Sequence, residues 1–235
     1  MTDIIQFHDV SHRYEGGHDV LSHVSFSVKQ GEMVFLTGAS GAGKSTILRL
    51  VALIARATRG QVHVHGQTLA SVKPRHIPAY RQRLGLVFQD FNLLNDRTVF
   101  DNVALPLIIR GHSHRDVGRQ VRAALDQVDL LNKEKVYPLT LSGGEQQRVG
   151  IARAVVTKPD LILADEPTGN LDPEMAHEVM RIFERFNQVG VSVLVATHAI
   201  DLIKAMPHRM IHLEHGRISM KVPLSVRHAG DFPYA

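Results

Sequence analysis

The stretch Met33-Val34-Phe35-Leu36-Thr37-Gly38-Ala39-Ser40-Gly41-Ala42-Gly43-Lys44-Ser45 decides the architecture. Residues 33–37 form an apolar run closed by a threonine, the pattern of a short strand buried on both faces of a parallel sheet. Glycines at 38, 41 and 43 break that run. From 44 to 55, Ile47, Leu48, Leu50, Val51 and Ile54 recur at helical spacing. Strand, glycine loop and helix are therefore predicted in that order. Residues 38–45 also satisfy G-x-x-x-x-G-K-[ST] in full. Glycines let the backbone curl until successive N–H groups converge on an anion. The helix start behind them adds partial positive charge. Lys44 supplies a point charge for β- and γ-phosphates, and the Ser45 hydroxyl is a ligand for Mg²⁺. A plain glycine turn with a chance lysine is the bland alternative, and the flanking strand and helix weigh against it.

On the N-terminal side, Ile4-Gln6-His8-Val10 and Val24-Phe26-Val28 each alternate on one strand face, with Glu15-Gly16-Gly17-His18 as the turn between them. An antiparallel β piece is predicted there. On the C-terminal side, 83–88 reads as a second buried strand. From 90 to about 156 the pattern turns helical, with Val117, Val121, Ala124, Leu125 and Val128 on one stripe. Residues 161–164 and 191–196 are further core strands, and a helix runs between them from about 173 to 189. A hairpin is expected at 210–220 about His215-Gly216. The predicted fold is α/β: a phosphate-loop NTPase core with a mainly parallel sheet, an N-terminal antiparallel β subdomain and an inserted α-helical subdomain. It reads as one domain over 1–235. The β flank and core occupy 1–89 and 157–220, the helical subdomain 90–156, and a loose tail with Pro223, Gly230 and Pro233 occupies 221–235.

Composition narrows the chemistry. The chain has 235 residues, 44% hydrophobic and 21% charged, enough for one full core. The absence of cysteine excludes disulfides, thiolate nucleophiles and cysteine-based zinc sites. Lys+Arg 27 against Asp+Glu 23 leaves +4, a mild excess that suits an anionic ligand or surface without proving either. No tryptophan and 6% aromatics argue against a single-stranded nucleic-acid binder. The start Met1-Thr2-Asp3-Ile4-Ile5-Gln6 has no secretory pattern, and no apolar stretch approaches the ~18 residues of a membrane span. A cytoplasmic protein is expected, with any membrane association made through a partner or a surface patch.

Two further motifs bear on chemistry. Leu161-Ile162-Leu163-Ala164-Asp165-Glu166 is an apolar strand ending in two carboxylates. Asp165 is placed to hold Mg²⁺ and Glu166 to polarise an attacking water. At Leu141-Ser142-Gly143-Gly144-Glu145 a glycine pair opens a helix. Ser142 with Glu145 three residues on fits a capping box, and the same segment fits a second phosphate-binding helix start. The residues leave both readings open.

The glycine loop at 38–45, Gln89 at a strand end, 141–145, Asp165-Glu166, Asn170-Leu171-Asp172 and His198 stand in one order. That order resembles the ABC-type ATPases over nearly the whole chain. The resemblance implies hydrolysis of ATP, with ATP and Mg²⁺ bound. It implies nucleotide contacts from Gly38, Ser40, Gly41, Ala42, Gly43, Lys44, Ser45 and Thr46, with Tyr14 stacked on adenine. It gives metal ligation to Ser45, Gln89 and Asp165, and catalytic roles to Glu166, His198 and Gln89. Ser142, Gly143, Gly144, Glu145 and Asp172 then serve a nucleotide held by a second copy, so the ATP state is a head-to-tail homodimer. Within the family, 35–38, 88–90 with 93–94, 96–99, 102–107, 141–156 and 186–191 resemble the FtsE-type ATP-binding proteins of bacterial cell division. That likeness implies an integral membrane partner of the FtsX type that regulates peptidoglycan hydrolysis. It also implies a peripheral place on the cytoplasmic face of the inner membrane. The alternative is the ATPase of a lipoprotein-release or efflux transporter. With one cassette and no long heptad insertion, no nucleic-acid partner is expected. Two departures from the pattern are Ala199 after His198, where relatives usually carry Asp, and 53–56, where a Gly is common.

Fifteen histidines remain to be weighed. His63 and His65 are expected on one strand face, and His112 and His114 about Ser113 in a loop. Solvated surface histidine is favoured over metal, since no further ligand completes a set. Lys73, Arg75, Arg81 and Arg83 read as a solvated basic face. Phe91, Leu93 and Leu94, just after Gln89, are expected to include an exposed residue that meets the membrane partner.

Overall fold

The computed structural model describes residues 2–14, 16–204 and 206–219. The chain runs β1 (Asp3–Arg13), β2 (Asp19–Lys29), β3 (Met33–Thr37), α1 (Lys44–Val51), β4 (Arg59–Val64), β5 (Gln67–Thr68), α2 (Ile77–Arg81) and β6 (Leu84–Val87). It continues α3 (Val99–Ile109), α4 (His114–Asp126), α5 (Gly143–Val155), β7 (Leu161–Asp165), α6 (Pro173–Gln188), β8 (Ser192–Ala196), α7 (Ile200–Ile203), β9 (Arg209–Glu214) and β10 (Arg217–Ser219). Two sheets form. The smaller has order β2-β1-β4-β5 and is antiparallel. The larger has order β10-β9-β3-β8-β7-β6, parallel except for the edge hairpin β9–β10.

Period-two alternation along β3 sends its side chains into two cores. Phe35 joins Val87, Ile162, Val193 and Val195 on the sheet face covered by α3 to α6, with Leu107, Leu125, Val149 and Phe183. Val34 and Leu36 join Leu161, Leu163 and Leu194 on the other face, packed around α1 and the antiparallel sheet through Ile5, Phe7, Val10 and Val64. A fully buried Leu, Val or Phe contributes roughly 1.5–3 kcal/mol. These two layers hold the 38–45 loop at the C-terminal end of β3, where parallel sheets of this kind bind ligands.

Several local expectations are corrected. The helix after the loop ends at Val51, not near 55: Leu53 takes φ +54° and turns the chain, leaving Ile54 half exposed. The α1 end is capped by Arg81, which donates to the carbonyls of Ala52 (3.0 Å) and Leu53 (2.8 Å). Arg81 therefore leaves the solvated basic cluster. In β1 Ile4, Ile5, Phe7 and Val10 are buried, whereas Gln6 is half-buried and His8 exposed, so the Ile4-Gln6-His8-Val10 alternation does not mark one buried face. The pairing shifts between Phe7 and Val10, with Asp9 at φ +51°, and such a bulge moves later residues to the other face. Residues 90–98 and 127–142 are not continuous helix; the second carries two 3₁₀ turns, Leu131–Lys133 and Pro138–Thr140. His65 sits in the turn after β4 with φ +49°, so it does not share a strand face with His63. The tail at 221–235 lies outside the described residues. Among the described residues no helix is long and apolar enough to cross a membrane.

Candidate active site

The loop after β3 is shaped by glycine at two crowded positions. Gly38 has φ +145°, and a Cβ there would lie 2.3 Å from the carbonyl oxygen of Leu213. Gly43 has φ +109°, and a Cβ would meet the Leu21 side chain at 2.6 Å. No larger residue fits either without moving its neighbours. The loop leads into α1, whose N-terminus carries no side-chain cap, leaving its first turn open to an anion. Lys44 is 5% exposed, and its Nζ donates to the carbonyls of Gly38 (2.8 Å) and Ala39 (3.1 Å). The same ammonium stands 3.3 Å from Glu166 Oε1.

A cleft of about 500 Å³ opens over this loop. Ser40, Gly41, Gly43, Lys44, Ser45, Thr46, Gln89, Glu166 and His198 all line it. Residues from β3, α1 and the ends of β6, β7 and β8 thus converge, as expected. Ala42 points away from the cleft; its carbonyl accepts from the Gly216 N–H at 3.2 Å. Tyr14 stands beside the first turn of α1, its hydroxyl 3.3 Å from Thr46 Oγ1 and 3.4 Å from Arg49 Nη1. Its ring edge meets His12 at 4.6 Å and is partly exposed.

The carboxylates occupy different environments. The Ser45 hydroxyl donates to Asp165 Oδ1 at 2.9 Å. Burial pushes the Asp165 carboxyl above the usual range, the Ser45 bond opposes that, and the Glu166 charge adds to it. Glu166 follows at φ +46°, its N–H donating to the carbonyl of Ala196 at 2.9 Å. Its Oε2 accepts the His198 N–H at 3.2 Å and lies 2.8 Å from His198 Nδ1. Lys44 and His198 therefore both hold the carboxylate, which faces the cleft. Ala199 does not disturb this: its N–H donates to Thr197 Oγ1 at 3.0 Å.

The second motif stands apart. Ser142 caps α5, its Oγ accepting the Glu145 N–H at 3.3 Å while Glu145 Oε2 accepts the Ser142 N–H at 3.0 Å. The capping box expected from sequence is formed. Asp172 caps α6 by accepting the Met175 N–H at 3.0 Å. These two helix starts are neighbours: a Cβ on Gly144 would meet Met175 Sδ, and one on Gly143 would meet Leu171. None of 142–145 or Asp172 lines the cleft over the 38–45 loop.

Other expectations divide. His63 is satisfied by Gln61 and Thr68, each at 3.2 Å. Ser113 caps α4 rather than sitting in a loop, and His114 is the first residue of that helix. Among the described residues no group of three His, Asp or Glu forms a metal cluster. Leu94 is exposed, whereas Leu93 packs against the helical core. Sequence reasoning missed Asn102, Lys133 and Arg153. Arg153 donates to the carbonyls of Phe91 (2.8 Å) and Asn92 (2.6 Å), fixing the segment behind Gln89. It also missed an apolar groove between β6 and α3, lined by Leu84, Leu86, Leu105, Pro106, Ile109 and Ala154.

A family model described as ABC transporter matches residues 21–169. The chain is 54% identical over 215 residues to the cell division ATP-binding protein FtsE of Escherichia coli strain K12, covering 92% of this chain and 97% of that one. Among solved structures, cbiO1 of Clostridium perfringens, part of an ABC transporter complex, superposes with TM-score 0.87 at 25% identity over 94% of this chain and 88% of that one. The dimeric ATP-binding cassette MJ0796 bound to ADP and Pi superposes with TM-score 0.84 at 31% identity, over 95% of this chain and 99% of that one.

Proposed function

The chain belongs to the ABC transporter family as an ATP-binding and ATP-hydrolysing cassette, and we propose that it works as the FtsE-type subunit of a membrane complex in bacterial cell division. The observation that carries the chemistry is the Glu166 carboxylate, set in the cleft between Lys44 and His198. Entry of ATP offers Lys44 a triphosphate in place of two carbonyls and a carboxylate. Glu166, released from Lys44, is then free to polarise a water aimed at the γ-phosphorus. His198 turns toward the γ-phosphate, and Gln89 lines the same cleft. The 38–45 amides and Lys44 stabilise the charge that builds on the departing phosphoryl oxygens. Ser45 Oγ and Asp165 Oδ1 lie 2.9 Å apart, a hard-oxygen pair that fits Mg²⁺, with Gln89 as a further oxygen ligand. Bound there, the cation would neutralise phosphate charge. Its presence would also offset the burial that disfavours the Asp165 carboxylate.

Ser142 and Asp172 lie outside the chain's own cleft, and that supports their service to a nucleotide on a second copy. Two copies arranged head to tail would enclose two ATP molecules. The membrane partner, of the FtsX type, would seat a cytoplasmic helix in the apolar groove between β6 and α3. In this reading the protein is peripheral on the cytoplasmic face of the inner membrane, attached through that partner. The 90–156 stretch is the helical subdomain that carries the partner surface, with 1–89 and 157–220 as the β flank and core.

Glu166→Gln tests the assignment. An amide does not polarise water as a carboxylate does, so the variant binds ATP, fails to turn it over, and accumulates as a dimer in light scattering. Persisting wild-type turnover would move the base elsewhere. Ser142→Arg keeps nucleotide binding by the single copy and loses both association and hydrolysis. Mixed with Lys44→Ala, it restores one composite site, and absence of ATP-dependent association in the mixture counts against the shared site.

A further inference from the structure

Ser142 is presented by a chain of contacts that starts outside its own helix. Glu145 Oε2 accepts the Ser142 N–H, while Glu145 Oε1 takes the ammonium of Lys133. We propose that Lys133 is a positioning residue for the 142–145 segment, locking the Glu145 carboxylate so that Ser142 is held ready for the nucleotide of a second copy. This rests on the shared-site reading above.

Three observations support it. The Glu145 carboxylate is sheltered, and Lys133 holds its carboxyl below the usual range, with the Ser142 contacts adding to the effect. The Lys133 backbone is fixed, closing the 3₁₀ turn Leu131–Lys133 with its N–H on the carbonyl of buried Leu130 at 3.0 Å. The next residues are tied to the helical layer. The carbonyls of Glu134 and Val136 accept the Phe100 and Val99 N–H groups at 2.8 Å each, and Arg122 Nε donates to Glu134 Oε2 at 2.9 Å. Glu145 is thereby referenced to α3 and α4 as well as to α5. A capping box alone holds the carboxylate by Oε2 only and leaves Oε1 to water. The competing view is an ordinary surface ion pair, which adds little to folding and nothing to turnover.

Steady-state hydrolysis separates the two. Lys133→Ala is expected to lower kcat about tenfold, equivalent to about 1.4 kcal/mol. Nucleotide affinity of the single copy and the melting temperature stay near wild type. Lys133→Arg, which keeps the charge, recovers kcat. The acid limb of the kcat profile in Lys133→Ala moves to higher pH, because Glu145 then protonates nearer the usual carboxylate value. Wild-type kcat in Lys133→Ala overturns the proposal, and so does a loss that Lys133→Arg fails to recover. Ser142→Arg run alongside separates the premise. If it hydrolyses ATP normally, the shared site itself falls; if it is inert while Lys133→Ala is normal, only the role of Lys133 falls.

Discussion

Asp165 and Glu166 are adjacent in sequence and differ in what holds them. Both were legible as a carboxylate pair at the end of an apolar strand. The clasp of His198 on Glu166 was not, because it depends on β7 and β8 lying side by side with Asp165 opposite Ala196. Asp165 carries a stability consequence. Its carboxyl is raised by burial, so the folded protein binds that proton more tightly than the unfolded chain does. Stability is therefore undiminished below the ordinary carboxylate value. It is lost as pH rises from that value through the raised folded one. Asp165→Asn removes the charge while its amide oxygen still accepts from Ser45. The nucleotide-free variant is expected to melt at a higher temperature than wild type at pH 7, with the gap closing in acid, and to hydrolyse no ATP. Equal melting temperatures at pH 7 would show that the buried carboxylate carries no penalty. The trade of stability for chemistry at such a site is general.

At the scale of elements, β3, α1, β6, β7, α6 and β8 were readable because each is a short apolar run or an amphipathic stripe bounded by glycine, proline or a capping residue. β4 was legible only as the strand face given to His63 and His65, and its start at Arg59 was not, since only Val62 and Val64 mark its buried face. The helical pattern read from 90 onward rests on the stripe at 117–128 and does not extend to 90–98; what shapes that segment is a single polar side chain from the next element. Asn102 on α3 is fully buried, with Oδ1 accepting the Leu94 N–H at 2.8 Å. Its Nδ2 donates to the carbonyls of Leu94 (3.0 Å), Arg97 (3.3 Å) and Thr98 (2.9 Å). Periodicity carries no trace of such a network. Asn102→Ala strands the Leu94 N–H and the Arg97 carbonyl, while the Leu94 and Thr98 carbonyls keep backbone donors, and it is expected to lower the unfolding free energy by roughly 1–3 kcal/mol. Denaturant titration checks it. A drop below ~0.5 kcal/mol would mean that water replaces the amide without loss. Because this network anchors the segment that follows Gln89, hydrolysis should fall even where the variant remains folded.

At the scale of the molecule, the sheet order β10-β9-β3-β8-β7-β6 was beyond single-sequence reading, since nothing local says which strands pair. The pairing has a consequence for the partner surface. It sets β6 at the edge of the parallel sheet, with α5 packed on it and a groove left between that edge and α3. The sequence points to Phe91, Leu93 and Leu94, just after Gln89, for the partner surface, and none of the three lines the groove between β6 and α3. The structure uses much of that segment internally: Leu93 packs inward and the 91–92 carbonyls are taken by Arg153. Leu94 alone of the three is exposed, and further exposed apolar residues lie along α3 at Leu105, Ile108 and Ile109, the last 67% exposed. Three apolar side chains open to water on one short helix mark an interaction surface rather than scattered exposure. Ile109 touches neither the cleft nor the 142–145 segment. Ile109→Asp is therefore expected to leave basal ATP hydrolysis near wild type and to abolish capture of the membrane partner, since an unpaired carboxylate is not accommodated in an apolar joint. Partner pull-down and phosphate release are measured on the same preparation. Loss of both would mean that Ile109 supports the fold of α3, and retention of both would move the partner to another face. Leu94→Asp, the exposed residue nearer Gln89, is the matched comparison. If it alone releases the partner, the joint lies at the nucleotide end of the cleft and the groove between β6 and α3 is not the seat.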